Sequence, residues 1–189
     1  MKEILIGWAF LLMPSLVLSL EPSPALLKML DDRLRPVVED VMVVESVRYQ
    51  NEEHSSLTPE EIARLDKVWR QQISANLRPL IMRVLDTPVS DHLRNHLSAS
   101  DGLITEIIVM DNRGLNVGVS SVTSDYWQGD EAKWLKTFPL GPQAVHVSDV
   151  EYDESTQRYQ IQVSLSLVDP DSDSVIGAAT FGLDAEKLP

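Results

Sequence analysis

The chain of 189 residues contains no cysteine. That excludes disulfides and thiolate metal sites, while leaving the compartment open, since many exported domains do without disulfides. Positive charge is scarce: 16 Lys and Arg stand against 29 Asp and Glu, a formal net charge of −13. Such a surface repels a phosphate backbone, so nucleic acid is set aside as a partner. No glycine-rich loop follows a strand pattern, so no phosphate cradle is present. The segment Gly118-Val119-Ser120-Ser121-Val122 is not a nucleophile elbow. No histidine falls in a motif that would pair it with a nucleophile. Together these absences point away from an enzyme, and no cofactor is expected. Beyond Leu20 there is no apolar run long enough to span a bilayer.

What is present begins with a hydrophobic fraction of 43%, enough for a buried core. Met1-Lys2 opens the chain, and Ile4 to Leu20 is almost uninterrupted apolar sequence. A basic start followed by an apolar run reads as a secretory signal peptide over residues 1–20, with Val17 and Ser19 as the small residues before a cut after Ser19. The alternatives are an uncleaved membrane anchor, which Pro14 disfavours, and a buried core helix. Signal or anchor, the remainder is expected outside the cytoplasmic membrane, in the periplasm.

Residues 21–100 read as helical. Leu27, Leu30, Leu34, Val37, Val41 and Val44 form a seam with spacings of three and four, interrupted by Pro36, which should kink or split the helix. The seam suits either core packing within one chain or a helix–helix contact in a homodimer. After a polar break from Asn51 to Leu57, Thr58-Pro59-Glu60-Glu61 combines a cap, a first-turn proline and a capping-box glutamate. Ile62, Leu65, Trp69, Ile73, Leu77, Leu80 and Val84 then share one face, with a kink expected at Pro79. Thr87-Pro88 ends this helix, and Ser90 is expected to cap a shorter one carrying Leu93 and Leu97. His92 and His96 lie four apart there, a zinc-compatible spacing. The expected general-base glutamate is Leu93 and no third ligand is evident, so both read as solvent-exposed.

At Asp101-Gly102 the apolar period changes to two, the period of strands. Residues 101–189 read as five strands: Ile104–Met110, Leu115–Val119, Ala144–Val150, Arg158–Val168 and Val175–Leu183. Asp169, Asp171 and Asp173 lack the glycine and glutamate of a calcium loop and read as an acidic hairpin turn. Gly177, Ala178 and Ala179 mark close packing on the last strand. The fold class is therefore α+β, with a mostly antiparallel sheet of about five strands and the helical region packed on one face.

Between the second and third strands lies Ser120–Lys136, SSVTSDYWQGDEAKWLK. It holds Tyr126, Trp127 and Trp134, out of 4 tryptophans, 4 tyrosines and 3 phenylalanines in the chain. Flat side chains mixed with placed polar groups suit a pocket for a small polar ligand. The same aromatics would equally serve as core.

Met110–Phe138 and the final strand Ile176–Asp184, IGAATFGLD, resemble the extracytoplasmic Cache domains, the PAS-like sensor modules of bacterial receptors. The resemblance implies a sensor that binds a small metabolite between the sheet and the overlying loop, often a carboxylate such as pyruvate or acetate. It implies that Tyr126 and Trp127 wall the site, that Gln128 and Ser121 hydrogen-bond the ligand, and that Lys133 faces an anionic group. Asp149 on the third strand would hold a polar partner, and Trp134 would either line the site or pack the loop. The amino-acid-binding members place an arginine two residues before a Trp-Tyr pair. Here Ser124-Asp125 precedes Tyr126-Trp127, which favours a short organic acid. Such domains are usually followed by a transmembrane helix, whereas this chain ends at Pro189. A stand-alone module reporting through a membrane-bound partner is therefore expected. The alternative is a structural or partner-binding protein with the same fold and no small-molecule ligand.

Overall fold

In the computed structural model, Ser23 opens the first helix by accepting the Leu26 N–H, with Pro24 in the first turn where no amide donor is needed. The structure describes residues 22–153 and 158–188. The apolar run read as a signal peptide lies outside the described residues.

The expected N-terminal helix is in pieces. Helix α1 (Pro24–Met29) passes into a wide turn over Leu30–Leu34, then α2 (Arg35–Val38), and after Glu39-Asp40 into α3 (Val41–Glu53). Pro36, which has no amide hydrogen, sits where the hydrogen-bond ladder widens, and Asp40 starts α3 by accepting the Met42 N–H. Of the seam, Leu30, Leu34, Val37 and Val44 are buried, whereas Leu27 and Val41 face outward because the splitting of the helix rotates them away. Helix α3 also runs through Asn51, so the polar break starts only at His54.

Helix α4 (Pro59–Ile73) carries the expected capping box: Thr58 Oγ1 accepts the Glu61 N–H, and Glu61 accepts the Thr58 N–H at 2.8 Å. It stops at Ile73 rather than continuing through Pro79. Gln72 instead turns back and accepts the Leu80 N–H at 2.8 Å, so α5 (Pro79–Leu85) starts afresh and Ile73 and Leu77 are left exposed. The next correction concerns α6 (Pro88–Ala99). Thr87 is its cap, accepting the Ser90 N–H. Ser90 is fully buried, donating to the Val84 carbonyl and accepting the Val119 N–H, which ties the helix to the sheet. On α6, His96 is exposed as expected, but His92 is half-buried with Nε2 3.0 Å from the Val37 carbonyl.

The sheet contains β1 (Ile104–Met110), β2 (Asn116–Val119), β3 (Val145–Val147), β4 (Glu151–Asp153), β5 (Arg158–Val168) and β6 (Val175–Asp184). Their order is β2-β1-β6-β5-β3, every neighbour antiparallel, with β4 also paired to β5. The expected third strand, 144–150, is realised only as the shorter β3, and β4 is an additional short strand beyond it on the same partner. Small residues on β6 do what the pattern implied: a Cβ at Gly177 would lie 2.2 Å from the Met110 carbonyl oxygen. Asp169 and Asp171, in the β5–β6 hairpin turn, bind Arg48 of α3.

Both faces of the sheet are covered, and this positions the site. One face carries Ile104, Ile107, Val109, Ile161, Val163, Leu165, Phe181 and Leu183, packed beneath α1–α3 and α6. The other, at its β1–β2 end, packs Ile108, Met110 and Ala178 against α4, α5 and the segment after β2. Among the described residues no helix is long and apolar enough to cross a membrane.

Candidate functional site

Successive residues of a strand point to opposite faces. On β5, Ile161, Val163, Leu165 and Leu167 enter the apolar core, so Gln160, Gln162, Ser164 and Ser166 must point the other way. The ladder aligns these with β6 and β1 in rows: Gln162 opposite Gly182 opposite Glu106, then Ser164 opposite Thr180 opposite Ile108. Ser164 and Thr180 hydrogen-bond each other at 2.9 Å. Thr105 donates to Gln160 Oε1 at 2.8 Å. Half of the second face is thus a polar floor, and Gly182 keeps it low: a Cβ there would lie 2.6 Å from Thr105 Oγ1.

The segment after β2 roofs this floor and leaves a partly open cavity of about 320 Å³ between them. Glu106, Ile108, Gln160 and Gln162 contribute from the sheet; Val122, Thr123, Ser124, Gln128 and Lys133 contribute from the roof. The roof is built by hydrogen bonds. Gln128 Nε2 donates to the Asp125 carboxylate at 2.9 Å and to the Asp125 carbonyl at 3.0 Å. This leaves Gln128 Oε1 to accept Lys133 Nζ at 3.1 Å, and Glu131 pairs with the same ammonium at 3.0 Å. Lys133, at the start of the short helix α7 (Ala132–Leu135), is 9% exposed. A charge that far from water requires partners, and these carboxylate and amide groups supply them.

The aromatic residues take other places. Tyr126 is buried and stacks on Trp69 with centroids 5.4 Å apart, as part of the second core cluster. Burial, followed by the nearby Asp111 carboxylate, pushes its hydroxyl above the usual phenol range. Trp127 donates Nε1–H to the Arg113 carbonyl at 2.8 Å and lies on the outer side, against a more open groove beside Asp66 and Arg70 of α4. Trp134 donates to the Asp111 carbonyl at 3.3 Å and stacks on Phe138, packing the segment rather than lining the cavity. Trp69, which spacing had placed only on a helix face, anchors the roof by donating to the Thr123 carbonyl at 2.9 Å.

Of the residues singled out by sequence, the structure brings Gln128 and Lys133 to the cavity wall and holds Tyr126, Trp127 and Trp134 behind it. It does not bring Ser121 or Asp149 there. Both are exposed: Ser121 precedes the segment's inward turn at Thr123, and Asp149 lies beyond Val147, where β3 has already ended. The floor residues Glu106, Gln160 and Gln162 were missed by the sequence reading. Their signal was the polar half of the β5 alternation, whose apolar half was read as core.

No protein-family model and no curated protein matches the chain. Solved structures do. The ligand-binding domain of the Campylobacter jejuni chemoreceptor Tlp3, in complex with L-valine, matches at 13% identity over 87% of this chain and 66% of that one, with a TM-score of 0.42. The extracellular domain of a putative histidine kinase, rpHK1S-Z16, matches at 10% identity over 85% of this chain and 58% of that one, with a TM-score of 0.43. The ligand-binding domain of the Pseudomonas fluorescens chemoreceptor CtaA, in complex with L-serine, matches at 10% identity over 67% of this chain and 59% of that one, with a TM-score of 0.39. This chain thus spans about two thirds or less of the length of these sensory domains. All three are ligand-binding or extracellular domains of receptors. The α+β architecture with its antiparallel sheet is the one that the Cache resemblance implies.

Proposed function

We propose that this chain is an extracytoplasmic, non-catalytic ligand-sensing module, with residues 21–100 and 101–189 working as one unit. It binds a small organic carboxylate between the sheet and the roof segment and reports through a membrane-bound partner. The observation that carries this reading is the buried ammonium of Lys133 in the wall of an otherwise uncharged-to-acidic polar cavity. An ammonium has three donors, and Gln128 and Glu131 account for two. A ligand carboxylate is the natural third partner, since charge-assisted bonds are the strong ones. Tyr126, Trp127 and Trp134 then hold the roof rather than touch the ligand. Export to the periplasm by the N-terminal apolar run belongs to the same reading. So does pairing of two copies through the outward face of α3, where Val41, Met42 and Tyr49 are exposed.

The test is a thermal-shift screen of short carboxylates and amino acids, the latter included because the similar sensory domains were solved with them. A ligand that binds only the folded protein stabilises it by about 2.7 kcal/mol at a hundredfold excess over its Kd. A hit that Lys133→Met removes supports the reading; a folded protein with no hit speaks against it. A second reading, a partner-binding protein without a ligand, is favoured by one exposed cluster. Tyr152 and Tyr159 pack edge-on at 5.2 Å beside Val150, all more than half exposed.

A further inference from the structure

We propose that the ligand is a polyhydroxylated monocarboxylate, an aldonic or uronic acid in chemical class, rather than acetate or pyruvate; this rests on the carboxylate-sensor reading above. The first ground is the floor. The side-chain amide of Gln162 lines the cavity and makes no hydrogen bond among the described residues. An amide offers two donors and an acceptor, and a ligand that buries it unpaired forfeits its hydration. The methyl group of acetate or pyruvate cannot pair with it. A row of hydroxyls can, because each both donates and accepts.

The second ground is size. A cavity of about 320 Å³ has room for several water molecules. Acetate replaces a small fraction of them and leaves the floor wet beneath it. A chain or ring carrying several hydroxyls fills more of the space that Lys133 of the roof and Gln162 of the floor both line.

The third ground is charge. Among the described residues that line the cavity Lys133 is the single cation, and its charge is already shared with Glu131. Glu106, in the same row as Gln162, lines the floor. A second carboxylate on the ligand would lie beside that like charge, which costs affinity. Dicarboxylates and tricarboxylates are therefore disfavoured, and one acid group with several hydroxyls is selected.

Isothermal titration calorimetry of the purified protein with gluconate, glucuronate, acetate, pyruvate, citrate and L-serine tests this. Gluconate or glucuronate is expected to bind at least about tenfold more tightly than acetate, pyruvate, citrate or serine. Gln162→Leu, similar in volume, is expected to weaken the hydroxy acid by about tenfold, the effect of one lost hydrogen bond. Acetate, pyruvate, citrate or serine binding as tightly as the hydroxy acids overturns the ligand class. Among these outcomes, a tight acetate or pyruvate leaves the carboxylate-sensor reading in place. No heat from any compound, with the protein folded by circular dichroism, overturns both. The wild-type comparison stands alone should the variant fail to fold.

Discussion

Asp66 of α4 accepts the backbone N–H of Tyr126 at 3.0 Å, and the same oxygen accepts the Trp127 N–H at 3.2 Å. One buried carboxylate thus pins the roof of the cavity to a helix outside it, while its second oxygen holds Arg70. Removing it strands two amide donors, one of them buried. Asp66→Ala is expected to cost about 2–4 kcal/mol, since an unsatisfied buried donor costs about 1–3 kcal/mol. Asp66→Asn retains an acceptor and should cost less. Urea denaturation of the two variants measures this; a loss well under about 1 kcal/mol for Asp66→Ala would show that the carboxylate is not the anchor.

Trp127 and the ligand should be separable. Trp127→Phe removes the hydrogen bond to Arg113 and is expected to lower stability by about 1 kcal/mol. Because Trp127 lines the neighbouring groove and not this cavity, the affinity of the carboxylate that binds should remain unchanged. Calorimetry and denaturation on the same variant decide; lost affinity at full stability would place the indole in contact with the ligand.

Gly182 is expected to behave in the opposite way. A Cβ there meets Thr105 Oγ1 at 2.6 Å and Gln160 Oε1 at 3.3 Å, so Gly182→Ala displaces the side chains that form the floor. Overpacking of this kind costs about 1–3 kcal/mol. Affinity should fall by more than the stability loss alone explains, because Glu106 and Gln162 flank this position in the ladder. Unaltered affinity would mean that the ligand does not rest on this row.

Acid stability should report the tie between α3 and the β5–β6 turn. The Arg48 guanidinium, hydrogen-bonded to Asp169, lowers that carboxyl from 3.8 to about 2, aided by the Asp171 N–H. A carboxyl lowered by folding contributes stability that is fully present above its unfolded value and is lost as pH falls through its folded value. The melting-temperature gap between the protein and its Asp169→Asn variant should hence be constant near neutrality and close as pH drops from about 4 to about 2. A gap that stays constant over this range would mean that Asp169 is not held by Arg48.

Much of the helix and strand content was legible because its causes are local. Thr58, Pro59 and Glu61 determine the start of α4 within four residues, and the period of two from Tyr159 to Leu167 marks β5. Helix ends were less legible where the deciding partner is distant in sequence. Gln72 caps α5 eight residues away, and Ser90 is drawn into the core by Val84 and Val119, so neither Ile73 nor Ser90 behaves as its neighbours imply.

The candidate site was half legible for the same reason. Gln128 and Lys133 stood out as polar groups within an aromatic segment. The floor did not, because Glu106, Gln160 and Gln162 come from two strands that meet only through β6, and a surface strand would show the same polar alternation. The resemblance implies Tyr126 and Trp127 as walls; Tyr126 stacks on Trp69 in the second core cluster, and Trp127 lines the groove beside Asp66 and Arg70 rather than the cavity under the roof, placements that composition does not reveal.

By itself, the sequence determined the α+β class, the antiparallel hairpins and the segment that roofs the sheet, since hydrophobic period, caps and turn residues act over a few residues. Only the tertiary structure decided that the polar face of β5 lies beneath a roof and lines a cavity, and that Tyr126 stacks on Trp69 behind that roof. Those outcomes depend on which surfaces meet, and burial changes a polar side chain from a solvated group into one that requires a partner.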